Sequence, residues 1–204
     1  MRKETAAPVR LVAPGEKITF REFFARDVFT VKAVVVLAAL LAIRTILGLP
    51  MLTIYYGDVK ILTFGYVADA LAAMLYGPIA GLAFGFAGDF LGFLATGGAG
   101  GGYFPGYAIS EMITCFLFAC FFFKRKPTVA RTIIVWLLNL AIVLLGLNSY
   151  WFVIFRGLGA FQATILFRIG LNAAQAPLHI FILYQLLSRL LRIKNLKRYL
   201  YKTN

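Results

Sequence analysis

Six apolar stretches, each about as long as a helix needs to cross a bilayer, constrain this 204-residue chain more than any other feature. A crossing takes roughly 20 predominantly apolar residues, and the stretches fall near 28–49, 61–76, 79–96, 104–123, 132–150 and 159–188. The second and third are short and meet at Tyr76-Gly77-Pro78, which reads as a tight, helix-breaking turn. With 61% hydrophobic residues, 14% charged ones and a mean hydropathy of +0.84, the chain fits an integral membrane protein and not a soluble domain. The expected fold is an all-α membrane protein, a six-transmembrane-helix bundle over 28–190. A basic, interfacial extension at 1–27 precedes it and a basic tail at 191–204 follows. The first 27 residues are polar and mixed in charge, with no cleavable signal, so the first apolar segment is expected to stay as a span. Within that extension the run FREFFARDVF at 20–29 alternates aromatic and charged residues, as an interfacial anchor does. Cys115 and Cys120 sit in an apolar run and read as small buried hydrophobes, not as a disulfide.

The basic residues set the orientation. Of 21 Lys and Arg, six precede the first span, four follow the fourth (Lys124, Arg125, Lys126, Arg131) and six close the chain. Six crossings place all three clusters on one side, and the positive-inside rule makes that side cytoplasmic, with both termini on it. The net charge of +13 is thereby accounted for by topology and headgroup contact. Nucleic acid is not an expected partner; the bilayer is.

Three loops then face outward: 50–60 (PMLTIYYGDVK), 97–107 (GGAGGGYFPGY) and 149–158 (SYWFVIFRGL). Each carries aromatics beside glycine or a charge, either as a binding-site rim or as the aromatic belt of the interface. Glycine fills every position from 97 to 102 except Ala99, so that segment is expected as a flexible hinge and not a helix. Tyr103, Phe104 and Tyr107 would be the aromatic platform it carries.

Charges inside the spans need partners or a wet cavity. Lys32, Arg44, Asp69, Asp89, Glu111 and Arg168 all fall within or at the edge of apolar segments, where each costs about 2.5–3.5 kcal/mol at mid-membrane on insertion scales. Pairing between helices, such as Asp69 or Asp89 with Arg44 or Arg168, is one solution. Arg44, Lys60, Glu111 and Arg156 lie toward the outer half and are candidates for ligand contact instead. Asn139, Asn148, Gln162, Asn172, Gln175 and His179 add hydrogen-bonding groups, and His179, close after Pro177, reads as structural.

Catalytic equipment is not visible. The chain has no phosphate loop, no zinc-protease or nucleophile-elbow motif, no metal-ligand spacing and one histidine, so no catalytic or metal-binding residue and no cofactor is expected. Six short spans without a visible inverted repeat are few for an autonomous transporter, so another protein would power any transport.

The run LTFGYVADALAAMLYGPIAGLAFGFAGDFLG, followed by YFPGYAIS, LGLNSYWF and FRIGLNAAQAPLHIF, resembles the folate family of substrate-binding S components of energy-coupling-factor (ECF) vitamin transporters. The resemblance covers roughly residues 28–190. It implies a multi-pass subunit of a prokaryotic cell membrane that captures a vitamin from outside and carries no ATP site. It would deliver the vitamin by docking on a transmembrane coupling subunit with two ATPase subunits. The glycine run would be the outer loop that closes over the ligand. Tyr103, Tyr150 and Trp151 could stack on a pteridine and Arg156, Lys60 and Arg44 could hold its anionic tail, with Phe104, Tyr107, Glu111, Asn148 and Arg168 completing the candidate site. Pantothenate, a smaller anion, is the alternative ligand, and Glu111 would oppose either acid unless an arginine neutralised it. Ala38 and Ala42 form a small-residue pair in the first span. In this family such pairs meet the coupling subunit, although an internal packing face reads equally well. A small membrane enzyme using Asp58, Asp69 and Asp89, or a channel with a polar stripe, are the alternatives of another class.

Overall fold

The computed structural model describes residues 31–51, 53–56, 59–62, 64–97, 102–190 and 192. The N-terminal extension, most of the glycine run (98–101) and the basic tail beyond 192 lie outside the described residues. The expectations placed on them, closure of the glycine loop included, lie there too.

The first helix, α1 (Val31–Leu47), is Val-, Ala- and Leu-rich and ends where its sequence stops supporting it. The Gly48 amide still donates to Arg44 O at 3.0 Å, and Pro50 cannot carry the helix on. A short antiparallel hairpin follows, β1 (Ile54–Tyr56) with β2 (Val59–Leu62), pairing Tyr56 with Val59. This adds one short strand pair to an otherwise helical fold and moves the start of the second apolar segment from 61 to 65. The reason is local: β-branched and aromatic residues flank Gly57-Asp58, a pair that suits a tight hairpin better than a helix start.

Helix α2 (Gly65–Ala95) is one element by hydrogen bonding but two arms by geometry. Gly77 has φ 82° and ψ −171°, a conformation outside the helix and nearly restricted to glycine, and Pro78 follows it. Ala68 and Ala72 of the first arm share a buried cluster with Phe84 of the second. In an unbroken helix positions 72 and 84 would stand about 18 Å apart. The chain therefore doubles back at the turn expected from Tyr76-Gly77-Pro78.

Helix α3 (Pro105–Phe122) begins with proline at its first turn, where the missing N–H costs nothing. It lies closely along α2 because glycines remove the obstacle: a Cβ at Gly81 would sit 3.3 Å from Cys115 O, and one at Gly85 would sit 2.6 Å from Glu111 O. Cys115 and Cys120 are free thiols, Cys115 fully buried at this contact. Helix α4 (Val129–Asn139) is capped by the Thr128 side chain, which accepts from the Arg131 amide at 3.4 Å. It runs through a π-helical segment, Leu140–Leu147, into α5 (Asn148–Arg156) without a break. The expected outer loop at 149–158 is thus mostly helix. Asn148 and Ser149 look like loop residues in the sequence, yet nothing stops the helix before Gly157, whose φ of 84° ends it.

Helix α6 (Leu158–Leu190) continues through Pro177. Its Leu183 and Leu187 complete the main core with Ala70, Ala73 and Met74 of α2, Phe118, Ala119 and Phe122 of α3, and Val135 of α4. Among the described residues four helical stretches are long and apolar enough to cross a bilayer: 65–95, 105–122, 129–154 and 165–190. The molecule is a multi-pass helical membrane protein by that measure.

A side chain at residue 77 would adopt a strained backbone and meet the Phe123 ring at 3.1 Å. Gly77→Ala is therefore expected to cost about 1–3 kcal/mol, read as a lower melting temperature in detergent. An unchanged melting temperature would mean that the turn tolerates negative φ.

Candidate functional site

Three helices meet at one guanidinium. Arg44, in the last turn of α1, donates from Nε to Asp69 of α2 at 2.5 Å and from an Nη to Glu111 of α3 at 3.0 Å. Its side chain is 12% exposed and that of Asp69 3%, whereas Glu111 remains 37% exposed. Room for the guanidinium comes from Gly88, where any Cβ would lie 2.6 Å from Arg44. Of the alternatives open in the sequence, pairing between helices is the one seen for Asp69, and an arginine does neutralise Glu111. Charges buried at low dielectric are tolerable only when so matched.

An aromatic cluster occupies the end of the bundle where α3 and α6 begin and α5 finishes. Phe104 meets Tyr107 edge-on at 5.7 Å and Trp151 at 5.5 Å, and Trp151 meets Tyr150 at 5.0 Å. Such edge-to-face pairs suit the charge distribution of the rings. Trp151 is also tethered through its indole N–H to Ser110 Oγ at 3.2 Å. Gly106 makes the meeting possible, because a Cβ there would overlap Phe104 and lie 2.8 Å from Trp151. One turn deeper, the Thr114 hydroxyl lies 3.0 Å from both Ser110 O and Asn139 Oδ1, tying α3 to α4. Tyr103 stands apart from this group, edge-on to Phe90 at 5.4 Å and Phe93 at 5.3 Å. Burial, and then the Asp89 carboxylate beside it, raise its phenol above the ordinary range.

The wall beneath the cluster is α6. Arg168, Asn172, Gln175 and His179 recur at helical spacing, and the same face further along carries the core residues Leu183 and Leu187. The polar half of that face therefore turns into the bundle. Arg168 lies over the Phe152 ring at 4.9 Å, a cation–π contact, and one of its Nη atoms is buried with no partner among the described residues. Asn148 Oδ1, Gln175 Nε2, His179 Nε2 and the Tyr66 hydroxyl are in the same condition. Buried polar atoms are nearly always satisfied; three of these five lie on that face of α6, and the other two are on α5 and α2. A separate groove of about 610 Å³, lined by Phe181, Ile182, Gln185, Leu186, Arg189 and Leu190, lies at the other end of α6, away from the aromatic cluster.

The structure thus brings together Phe104, Tyr107, Trp151 and Tyr150, places Arg168 and Asn148 on adjoining helices, and engages Arg44 and Glu111 with each other. Lys60 lies in β2 opposite Tyr55, and Arg156 closes α5, with both side chains outside the described residues. Sequence reasoning left Gly106, Ser110 and Thr114 out of the site. The four-residue rhythm of Arg168, Asn172, Gln175 and His179 was the available signal for the polar face of α6.

Fold and site define a multi-pass helical membrane protein with a candidate small-molecule site at one end of its bundle. The resemblance to folate-family S components is supported from two directions. A curated protein, the folate transporter FolT of Clostridium novyi (strain NT), is 27% identical over 84 residues, which is 41% of this chain and 48% of that one. The match spans about half the length of that relative, which is named for transport and not for catalysis. Among solved structures, FolT bound with folic acid matches with a TM-score of 0.68 at 20% identity, covering 78% of this chain and 95% of that one, so the fold is shared. No family model matches the chain.

Breaking the Arg44 clamp on one side should be worse than removing it. Asp69→Asn leaves a buried guanidinium short of its counter-charge and is expected to cost about 3–5 kcal/mol, whereas the triple variant Arg44→Met/Asp69→Leu/Glu111→Gln, which strands no charge, should regain most of that loss. Thermal denaturation of the parent and the two variants in detergent checks this. A triple variant as unstable as the single one would mean that the charges do more than cancel.

Proposed function

We propose that this chain is the vitamin-binding S component of an ECF-type importer in a prokaryotic cell membrane, with folate as its ligand. The observation that carries the reading is Arg168, half-buried with one Nη fully buried and unpaired among the described residues, next to the cluster of Phe104, Tyr107, Tyr150 and Trp151, in a fold shared with FolT bound with folic acid. A flat ring gains from aromatic faces and an anionic tail gains from a desolvated cation. Arg44 is a less available cation than Arg168, because Asp69 and Glu111 already hold it.

In this reading the bundle crosses the membrane six times, counting the two arms of α2 separately, and both termini are cytoplasmic. The Gly77 turn packs on Phe123, next to the basic loop of Lys124, Arg125 and Lys126. The positive-inside rule puts that end in the cytoplasm, so the aromatic cluster faces outward. The energy for release would come from a transmembrane coupling subunit and its two ATPase subunits. Their docking face would be α1: Ala38 and Ala42 are exposed with Val35 and Ile46, while Ala33, Val36, Leu37 and Leu40 turn inward to α2. The alanine pair therefore points away from this chain's own core. A face of small residues lets a partner helix approach closely.

Folate added to the solubilised protein is expected to quench Trp151, read in a Trp136→Phe background. Arg168→Gln should weaken folate binding about tenfold or more, as for loss of a charge-assisted hydrogen bond worth about 1.5–3 kcal/mol. Tight pantothenate binding with no response to folate would change the ligand, and no vitamin binding at all would sink the proposal. Separately, Ala38→Trp should abolish vitamin uptake by cells while the purified variant binds as the parent does. Equal loss of both would mean that the alanine serves this chain's own packing.

A further inference from the structure

We infer that the groove along the last turns of α6 is a binding site for an anionic glycerophospholipid, with an acyl chain lying on Phe181, Ile182, Leu186 and Leu190 and the phosphate held by Arg189 and Arg192. The inference goes beyond the transporter reading and shares with it only the cytoplasmic placement of that end of the bundle.

Position comes first. Phe181, Gln185 and Arg189 recur every four residues, with Ile182, Leu186 and Leu190 beside them, so the six form one stripe along the helix. From first to last the helix rises about 13 Å, close to the roughly 15 Å that is one leaflet's share of a hydrocarbon core. Leu183 and Leu187, between them in sequence, turn another way and join Phe122 in the core. The groove therefore lies on the outside of the bundle, level with the end of α3 and with the basic loop Lys124-Arg125-Lys126 that follows it. Arg168 lies about 30 Å back along the helix from Arg189, so a ligand of the aromatic cluster does not reach this place.

The stripe is graded in polarity. Its deeper end is apolar, with Phe181 61% exposed beside a groove of about 610 Å³, while Gln185 stands midway and the exposed Arg189 at the mouth. Apolar at depth and cationic at the interface is the order of a phospholipid read from chain to headgroup. Arg192 is exposed as well, and its amide donates to Arg189 O at 2.9 Å. The helical turn thus continues past Leu190, and residues three apart on a turn share a side.

Charge decides the kind of lipid. Every Asp and Glu of the chain lies at or before residue 111. Of those with described side chains, Asp69 and Glu111 are held by Arg44, and Asp89 stands beside Tyr103. No ion pair to Arg189 or Arg192 is seen among the described residues. At the cytoplasmic face of a bilayer the anion within reach of both is a lipid phosphate. A free phosphate would meet the guanidinium groups and leave the apolar stripe uncovered. A phosphatidylcholine would cover the stripe, but its own ammonium offsets the charge that the arginines require.

The test uses the full chain in mild detergent, stripped of lipid and titrated with dioleoyl phosphatidylglycerol or dioleoyl phosphatidylcholine, with bound lipid counted by native mass spectrometry. One phosphatidylglycerol should be retained, about fivefold more tightly than phosphatidylcholine, and glycerol phosphate, which has the anion and no chain, should not displace it. Arg189→Gln should weaken phosphatidylglycerol about fivefold, the size expected for one basic residue at an anionic surface, and Arg189→Lys should restore most of that loss. Leu186→Trp, which fills the groove, should weaken both lipids. Leu186 and Arg189 are exposed, so the lipid-free variants should melt as the parent does. Arg131→Gln, at the same end of the bundle and off the groove, should change retention less than about twofold. Equal retention of the two lipids, or an undiminished preference in Arg189→Gln, would overturn the inference. An equal loss in Arg131→Gln would overturn it too, since the attraction would then belong to the whole basic end. So would a Leu186→Trp chain that keeps its lipid and loses vitamin uptake by cells, because a protein partner would then be the occupant.

Discussion

The guanidinium of Arg44 fastens three helices that apolar contact alone would leave free to slide. In a bilayer the lipid competes with every apolar side chain for its neighbour, so greasy packing sets no depth. An ion pair between α1 and α2 and a second to α3 do set it, since moving any of the three by one turn would strand a charge. The glycines of α2 serve the same arrangement, Gly85 by letting α3 in and Gly88 by giving the guanidinium a place to lie. The aromatic cluster inherits its geometry from this frame, because Gly106, Ser110 and Glu111 share the first turns of α3.

Against that rigid side stands a softer one. Helix α6 is apolar and packed at its far end and polar, with unpaired atoms, from Arg168 to His179. The α4–α5 helix facing it carries a π-helical stretch, a form less well bonded than the α-helix and common at functional places. The ion pairs are concentrated where α1, α2 and α3 meet, and unpaired polar atoms recur on α5 and α6. That division would suit the proposed role, in which the bundle keeps its shape while a site fills and empties.

Much of this was readable from residues. The span ends expected at 28–49 and 104–123 lie within a few residues of α1 and α3, because Pro50 and Pro105 punctuate them unambiguously. Gly77-Pro78 announced its turn for the same reason. The hairpin at 54–62 was hidden because its strands are as apolar as a span, and length alone does not separate the two. The helical character of 149–156 was hidden because Asn148 and Ser149 imitate a loop where a π-helical backbone carries on. For the charges, the sequence offered Asp69 both Arg44 and Arg168 as partners, and only the depth of each helix decides between them. His179 reads as structural in the sequence, but its stacking partner Tyr66, from a segment more than a hundred residues earlier, is visible only once the chain is folded.

The π-helical stretch at Leu140–Leu147 sets a phase as well as a path. Each residue of an α-helix advances the side-chain direction by about 100°, and a wider turn shifts the count for everything after it. Trp151 faces Ser110 and Phe104 because the helix arrives at that rotation, so the cluster depends on a tally of eight apolar residues outside it. Lengthening or shortening that stretch by one would keep every aromatic residue in the chain and swing the indole round toward lipid or core. If the cluster holds the proposed ligand, the spacing is itself a specificity element, carried by residues whose chemical identity says nothing about that ligand.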